Sequence, residues 1–162
     1  MNNQTALSSL NDCSAELSKL QQIIDVFGQS HSIVPFLTNY AVIKCCGTIE
    51  NCFKIIIADF HHSLTPQARN YIENTFLNSS MNPSKENICK SLVKFDQQWN
   101  VNFKAKLSIE RDKNRIESSL SSLNEARNAF AHGGNPGVSF SSVVTYFNDC
   151  RKVIEILDDV VV

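Results

Sequence analysis

The sequence predicts an all-α, up-and-down bundle of five or six helices, forming a single domain over residues 1–162, and three observations carry that expectation. Apolar residues recur at spacings of three and four along most of the chain. No alternation of apolar and polar residues survives beyond a few positions, so strands have no signal. Glycine and proline fall where such helices would stop or start. At 162 residues the chain is long enough to bury one core without disulfides or a structural metal. A hydrophobic fraction of 43% beside 19% charged residues fits an ordinary globular protein rather than a disordered one.

The first helix is marked by Leu7, Leu10, Cys13, Leu17, Leu20, Ile24 and Phe27, and Gly28 ends it. A second, central helix is expected from about Pro35 to His62. Its wide apolar stripe includes Phe36, Tyr40, Ile43, Ile49, Phe53, Ile56, Ile57 and Phe60. Thr65-Pro66 reads as an N-cap followed by proline at the first helical position, opening a short helix through about Leu77. Asn82-Pro83 gives the same signal for a helix to about Trp99, with "SSMNPS" as the loop between them. Residues 97–108 fit a loop or a broken helix. A penultimate helix runs from about Ile109 to His132 and a final one starts near Ser139, where Val138 and Val143 suit a hydrophobic staple.

Several function classes fall away on composition. A formal net charge of -1 gives no global attraction for nucleic acid, so an RNA partner would need a local site. The N-terminus has neither the basic flank nor the apolar centre of a signal peptide. No window approaches the roughly 18 apolar residues of a membrane span. A cytoplasmic setting keeps the six cysteines reduced, and none of them shows C-x-x-C spacing, so they read as small buried hydrophobes. No Gly-rich phosphate loop, Ser/His/Asp set or zinc spacing is present, and neither a metal nor a cofactor is expected.

The stretch "ARNAFAHGG", Ala126 to Gly134, is different. On a helical wheel Ile116, Leu120, Leu123 and Phe130 fall within roughly 80° of one another, and Arg127 lies inside that arc. A guanidinium aimed at an apolar face must be paired or must line a cleft. Asn128 and His132 are four apart on a neighbouring flank, and Gly133-Gly134 stop the helix. Two readings of His132 stand side by side. A histidine in a last turn interacts well with the helix dipole, and a glycine after it is an ordinary ending. Together with an apolar-face arginine, the same histidine suits chemistry.

Arg127-Asn128-x-x-Ala131-His132-Gly133 resembles the arginine–histidine motif of the HEPN superfamily, in which a polar residue commonly follows the arginine. The motif ends the penultimate helix of a helical bundle and one long helix follows it, as in that family. The branch most resembled is the RiboL-PSP type, with its "RNxxAHG" helix end and an early helix carrying a central glutamate, here Ile49-Glu50-Asn51-Cys52-Phe53. The resemblance implies an all-α HEPN-like bundle and a metal-independent endoribonuclease acting on RNA as a homodimer. It further implies a toxin or antiphage role, with an antitoxin or other regulatory protein as partner and no membrane. Some HEPN toxins carry a tyrosine two residues after the histidine, modified by an associated nucleotidyltransferase; here that position is Gly134, which has no hydroxyl. Many HEPN domains only dimerise or bind a nucleotide or a protein, and that is the alternative function.

Metal-free RNA cleavage needs a base for the 2′-hydroxyl, an acid for the departing 5′-oxygen, and positive charge at the phosphorane. Histidine carries protons near neutrality and arginine offers a planar fork to phosphate oxygens. One chain offers one such histidine, so two motifs meeting in a symmetric dimer would supply both proton carriers. In this scheme Arg127 and His132 are catalytic, while Asn128 and Glu50 bind or position.

Other residues have two readings each. Glu50 interrupts an apolar line of the central helix, either to pair with Arg127 and orient it or as a partly exposed edge residue. Asn128 either contacts RNA or bonds locally. His61-His62 suit a solvated helix end better than a metal site. Lys104, Lys106, Arg111, Lys113 and Arg115 form a basic run that suits an RNA backbone or, with Glu110 and Asp112, a solvated face. Trp99 and Phe103 suit core anchoring more than base stacking.

Overall fold

The structure, a computed structural model, describes residues 1–61 and 64–162. Among them are seven α-helices and no strand: α1 (Gln4–Phe27), α2 (Val34–Phe60), α3 (Pro66–Ile72), α4 (Lys85–Phe95), α5 (Gln97–Ile109), α6 (Lys113–Ala131) and α7 (Phe140–Val160). A π-helical turn, Glu73–Leu77, continues α3. The all-α class stands, with seven helices in place of five or six. The additional one is α5, where a loop or broken helix was expected. Asp96 makes the difference: its extended backbone ends α4, and its side chain accepts from the Gln98 N–H at 2.6 Å to start α5. The expected helix to Trp99 therefore ends at Phe95, and α6 starts at Lys113 rather than near Ile109.

Most other boundaries follow the sequence signals. Gly28, at φ 86°, closes α1. Thr65 caps α3 with Pro66 behind it, and Ser139 caps α7 through the Ser142 N–H. Asn82 is not a cap. Ser84 holds that position and accepts from the Asn87 N–H at 3.1 Å, which frees the Asn82 side chain for another task. The expected end of the central helix at His62 lies outside the described residues.

The core is built on α2 and α7. α2 packs against α1, α6 and α7, and α7 also packs against α5 and α6. Ile49, Phe53, Ile57, Leu123, Phe147, Ile154 and Leu157 are among the fully buried side chains. Five of the six cysteines are buried, Cys89 is half-buried, and all are free thiols. Trp99 and Phe103 are buried as core anchors. The α2 stripe is narrower than its composition suggests. Phe36, at 73% exposure, with Tyr40, Ile43 and Phe60, lies outside the core, because Thr38, Ala41, Val42, Cys45 and Cys46 occupy the buried face of α2. Phe130 is likewise exposed, so the buried arc of α6 ends at Ala126.

Three buried charges cross between elements, each satisfied. Asp149 of α7 accepts from Arg115 and Ser119 of α6 at 3.1 and 2.7 Å. Asp158 accepts from the backbone N–H groups of Asn2 and Asn3, tying the start of α1 to the end of α7. Lys54 of α2, only 3% exposed, pairs with Glu50 of the same helix and crosses to the loop by donating to the Ser79 carbonyl. No described helix is long and apolar enough to cross a membrane.

His61 departs from the solvated helix end expected of it. It is half-buried, lies 5.2 Å from the Phe95 ring in a stacked arrangement, and contacts Phe60 and Trp99. Its Nε2 is buried without a hydrogen-bond partner among the described residues. His62, its expected companion, lies outside them. Burial lowers the His61 pKa, because a proton there would put a charge among aromatic rings. The unfolded chain then binds that proton more readily. Stability is full above the ordinary imidazole value of about 6.5 and drains as pH falls below it toward the lower folded value. The urea midpoint is expected to drop between about pH 7.5 and 5.5, and His61→Phe should flatten that slope. An unchanged slope in the variant would assign it to other groups.

Candidate functional site

The end of α6 is shaped by its two glycines. His132 is the C-cap, with φ -93° and ψ 15°, and its backbone N–H donates to the Asn128 carbonyl at 3.1 Å. Gly133 turns left-handed at φ 79°, and its N–H donates to Phe130 O at 2.9 Å. The Gly134 N–H reaches back to Ala129 O, also at 2.9 Å. This is a Schellman ending, which satisfies the last carbonyls and turns the chain sharply. Each glycine has its own reason. Gly133 needs the positive φ, and a Cβ on Gly134 would lie 3.0 Å from the Ala129 oxygen. The imidazole of His132 is left exposed, with no hydrogen bond among the described residues.

Arg127 is half-buried on the flank of α6 that meets α2. Its Nη1 donates to Asn128 Oδ1 at 3.3 Å, and it forms no ion pair among the described residues. Its field reaches Cys46 of α2, one of the buried thiols at this seam. Burial pushes that thiol up to about 12, against the pull of the Arg127 guanidinium, and the Glu50 carboxylate adds to the rise. Cys46 donates weakly to Asn124 Oδ1 at 3.6 Å. Arg127 is thus half-buried on α6, with no carboxylate paired to its charge among the described residues.

Glu50 has a different partner from the one considered for it. Its Oε1 accepts from Lys54 Nζ at 2.7 Å and from the Met81 N–H at 2.8 Å. Lys54 Nζ also donates to the Ser79 carbonyl. The physical reason is burial. The Lys54 ammonium has to be neutralised where it lies, one turn along the same helix, whereas the half-buried Arg127 can be solvated. The pair thereby pins the loop of residues 78–84 onto α2.

That loop supplies the residue that the sequence reading missed. Asn82 Nδ2 donates to Asn128 Oδ1 at 2.9 Å, and the Asn82 carbonyl accepts from Asn87 Nδ2 at 2.9 Å. Asn128 Oδ1 therefore accepts from Asn82 and Arg127 together, and the carboxamide stands fixed beside the guanidinium. Arg127, Asn128 and His132 occupy the last turns of one helix, with Glu50 joined to them through the loop rather than by contact. The signal for Asn82 was the Asn-Pro pair, which its sequence context presents as a helix cap.

The basic run divides. Lys106 pairs with Asp159 at 3.5 Å, and Arg115 with Asp149 and Asp112, so these serve the fold. Lys104 lines a groove between α4 and α5 instead. Among the described residues no cluster of three or more His, Cys, Asp or Glu side chains is arranged to hold a metal ion.

The RiboL-PSP-HEPN family model matches residues 8–162. No curated protein and no solved structure matches the chain. Breaking a buried ion pair by removing one partner costs about 3–5 kcal/mol. Glu50→Ala is expected to lower unfolding stability by about 3 kcal/mol in urea titrations, and adding Lys54→Met should restore most of it. A loss that Lys54→Met fails to relieve would mean that Glu50 acts through something other than this pair.

Proposed function

From the premise that the chain belongs to the RiboL-PSP-HEPN family, a family of ribonuclease-like helical modules, we propose that it is a metal-independent endoribonuclease acting as a homodimer in the cytoplasm. The observation that supports this most is the state of the motif. Arg127 has no carboxylate partner among the described residues, His132 is exposed, and Asn128 is held beside the arginine by Asn82. A helix end serving only the fold has no use for an uncancelled guanidinium braced by a second element.

In the proposed reaction the substrate's 2′-oxygen forms a bond to the adjacent phosphorus and the bond to the 5′-oxygen breaks. The products are a 2′,3′-cyclic phosphate and a free 5′-hydroxyl. Arg127 offers its fork to the non-bridging oxygens as negative charge builds on the phosphorane. His132 of one protomer gives a proton to the departing 5′-oxygen, and the same residue of the partner takes the proton of the 2′-hydroxyl. With one motif per protomer the scheme needs this pairing, since the motif supplies one candidate proton carrier. A toxin or antiphage role, restrained by an antitoxin or other regulatory protein, fits an enzyme that destroys RNA without a cofactor.

The net charge of -1 favours the second reading, a HEPN-like module that dimerises or binds a nucleotide or protein partner without cutting. Incubation with tRNA and total RNA in EDTA separates the two. The wild-type chain is expected to cut, leaving cyclic phosphate ends. Arg127→Ala and His132→Ala should each lower the rate by about 100-fold or more with unchanged helical content. Asn82→Ala, which leaves both reacting groups in place, is expected to slow cutting by about tenfold through loss of bracing alone. Equal cutting by wild type and both motif variants would eliminate the nuclease reading of Arg127 and His132.

A further inference from the structure

The part of α2 that stays out of the core runs beside the motif. Phe36, Tyr40, Ile43 and Gly47 lie on one line of the helix, and all four are exposed. The line continues to Glu50 and Lys54, where the loop of residues 78–84 covers it. Toward the N-terminus it is open. α2 runs antiparallel to α1, since Lys44 meets Glu16 while Cys52 meets Ala6. α1 runs antiparallel to α7, since Arg151 meets Ser14 while Asp158 meets Asn3. α7 packs back on α6 across the turn of residues 132–139, so α6 is antiparallel to α2. With Asn124 seated at Cys46, the last turns of α6, which carry Arg127 and His132, run alongside the open line.

Gly47 is the residue the fold does not explain. It sits inside a helix without a positive φ, and an added Cβ would meet nothing within 4 Å among the described residues. Glycine weakens a helix interior and is otherwise used where another group must approach closely. The spacing says which group. From Phe36 the steps are four, three and four, a pattern that reads the same from either end. Two copies of α2 laid antiparallel therefore match the line to itself. Phe36 then faces the partner's Gly47, and Tyr40 faces the partner's Ile43. The bulkiest side chain meets the position without one, in both directions at once.

We propose that a second copy of this chain docks on this line of α2 in that antiparallel register. A twofold axis that sets the two helices face to face and antiparallel keeps both copies of α6 on the same side of the seam, so the two motif ends share one cleft. Charge agrees with two identical faces meeting. Glu16, which accepts from Tyr40, is paired with Lys44 at 2.7 Å, so this pair brings no net charge to the seam. Ile23 and Phe27 extend the patch, on the face of α1 that carries Glu16. Ile23, Phe27, Phe36, Tyr40 and Ile43 are between 39% and 73% exposed, which leaves roughly 500 Å² of apolar side chain open. A standard interface takes about 800 Å² per partner, of which about 60% is apolar. That the second copy completes a cutting site rests on the nuclease reading above; the pairing itself rests on the stripe.

Sedimentation equilibrium of the full chain is expected to show a dimer at about 10 μM. Gly47→Leu has room within the chain and favours the helix, so helical content should hold while dimer dissociation rises by about tenfold or more. Phe36→Lys, at an exposed position, should do the same. Mild oxidation reads the register. The double variant Phe36→Cys with Gly47→Cys should form a covalent dimer on a non-reducing gel. Each single variant should not, because its cysteine lies roughly 16 Å along the seam from its own copy. A wild-type chain that stays monomeric at about 100 μM would overturn the proposal and leave the stripe to a different protein. A dimer indifferent to Gly47→Leu, or one cross-linked by a single variant, would overturn it too. His132→Ala should leave the dimer intact. A dimer of this register that cuts no RNA keeps the interface and retires the nuclease reading, so either can fail alone.

Discussion

The buried pair of Glu50 and Lys54 is the interaction on which the rest of the site depends. Two opposite charges one turn apart inside α2 would be a poor bargain with hydrocarbon around them. They are tolerable because a loop from elsewhere in the chain completes them: Ser79 gives its carbonyl to the ammonium and Met81 its N–H to the carboxylate. The dependence runs both ways. Without the loop the pair lacks partners, and without the pair the loop has no reason to lie against α2. Once seated, it delivers Asn82 to Asn128, and Asn128 to the flank of Arg127. A core electrostatic requirement thereby becomes the scaffold of a surface motif.

The same loop faces two ways. One side braces the end of α6, and the other forms a margin of the groove between α4 and α5. A chain with balanced overall charge attracts polyanions only where cations gather locally without partners. Among the described residues Arg127, Lys94 and Lys104 make no ion pair, whereas Lys106 and Arg115 pair with α7. What composition reports as near-neutrality is a separation of roles among individual side chains.

Much of this was legible in the sequence, for reasons that differ by element. The long periodic helices announced themselves, as did Gly28, Thr65-Pro66 and Ser139 at their ends. The α4–α5 break did not, because Phe95 and Trp99 sit at helical spacing across Asp96, and periodicity cannot see one extended residue. The exposed Phe36, Tyr40 and Ile43 were placed inside, since a wheel shows which residues share a face but not how wide a face the neighbours cover. Arg127, Asn128 and His132 stood out by residue type. Glu50 stands out for interrupting an apolar line, yet neither reading of it, a partner for Arg127 or an edge residue, includes the nearer i+4 lysine. Asn82 reads in the sequence as a cap and its contact with Asn128 is hidden there, because an asparagine's role lies in who arrives to meet it, and that is decided by tertiary packing.

The Schellman ending of α6 has a consequence for genetics. Gly133 and Gly134 bear no reacting group, but they set the angle at which the chain leaves His132. A side chain at either position would strain the turn without abolishing the bundle. Alleles there would therefore behave as conditional ones, with the end of α6 in place when cool and loosened when warm.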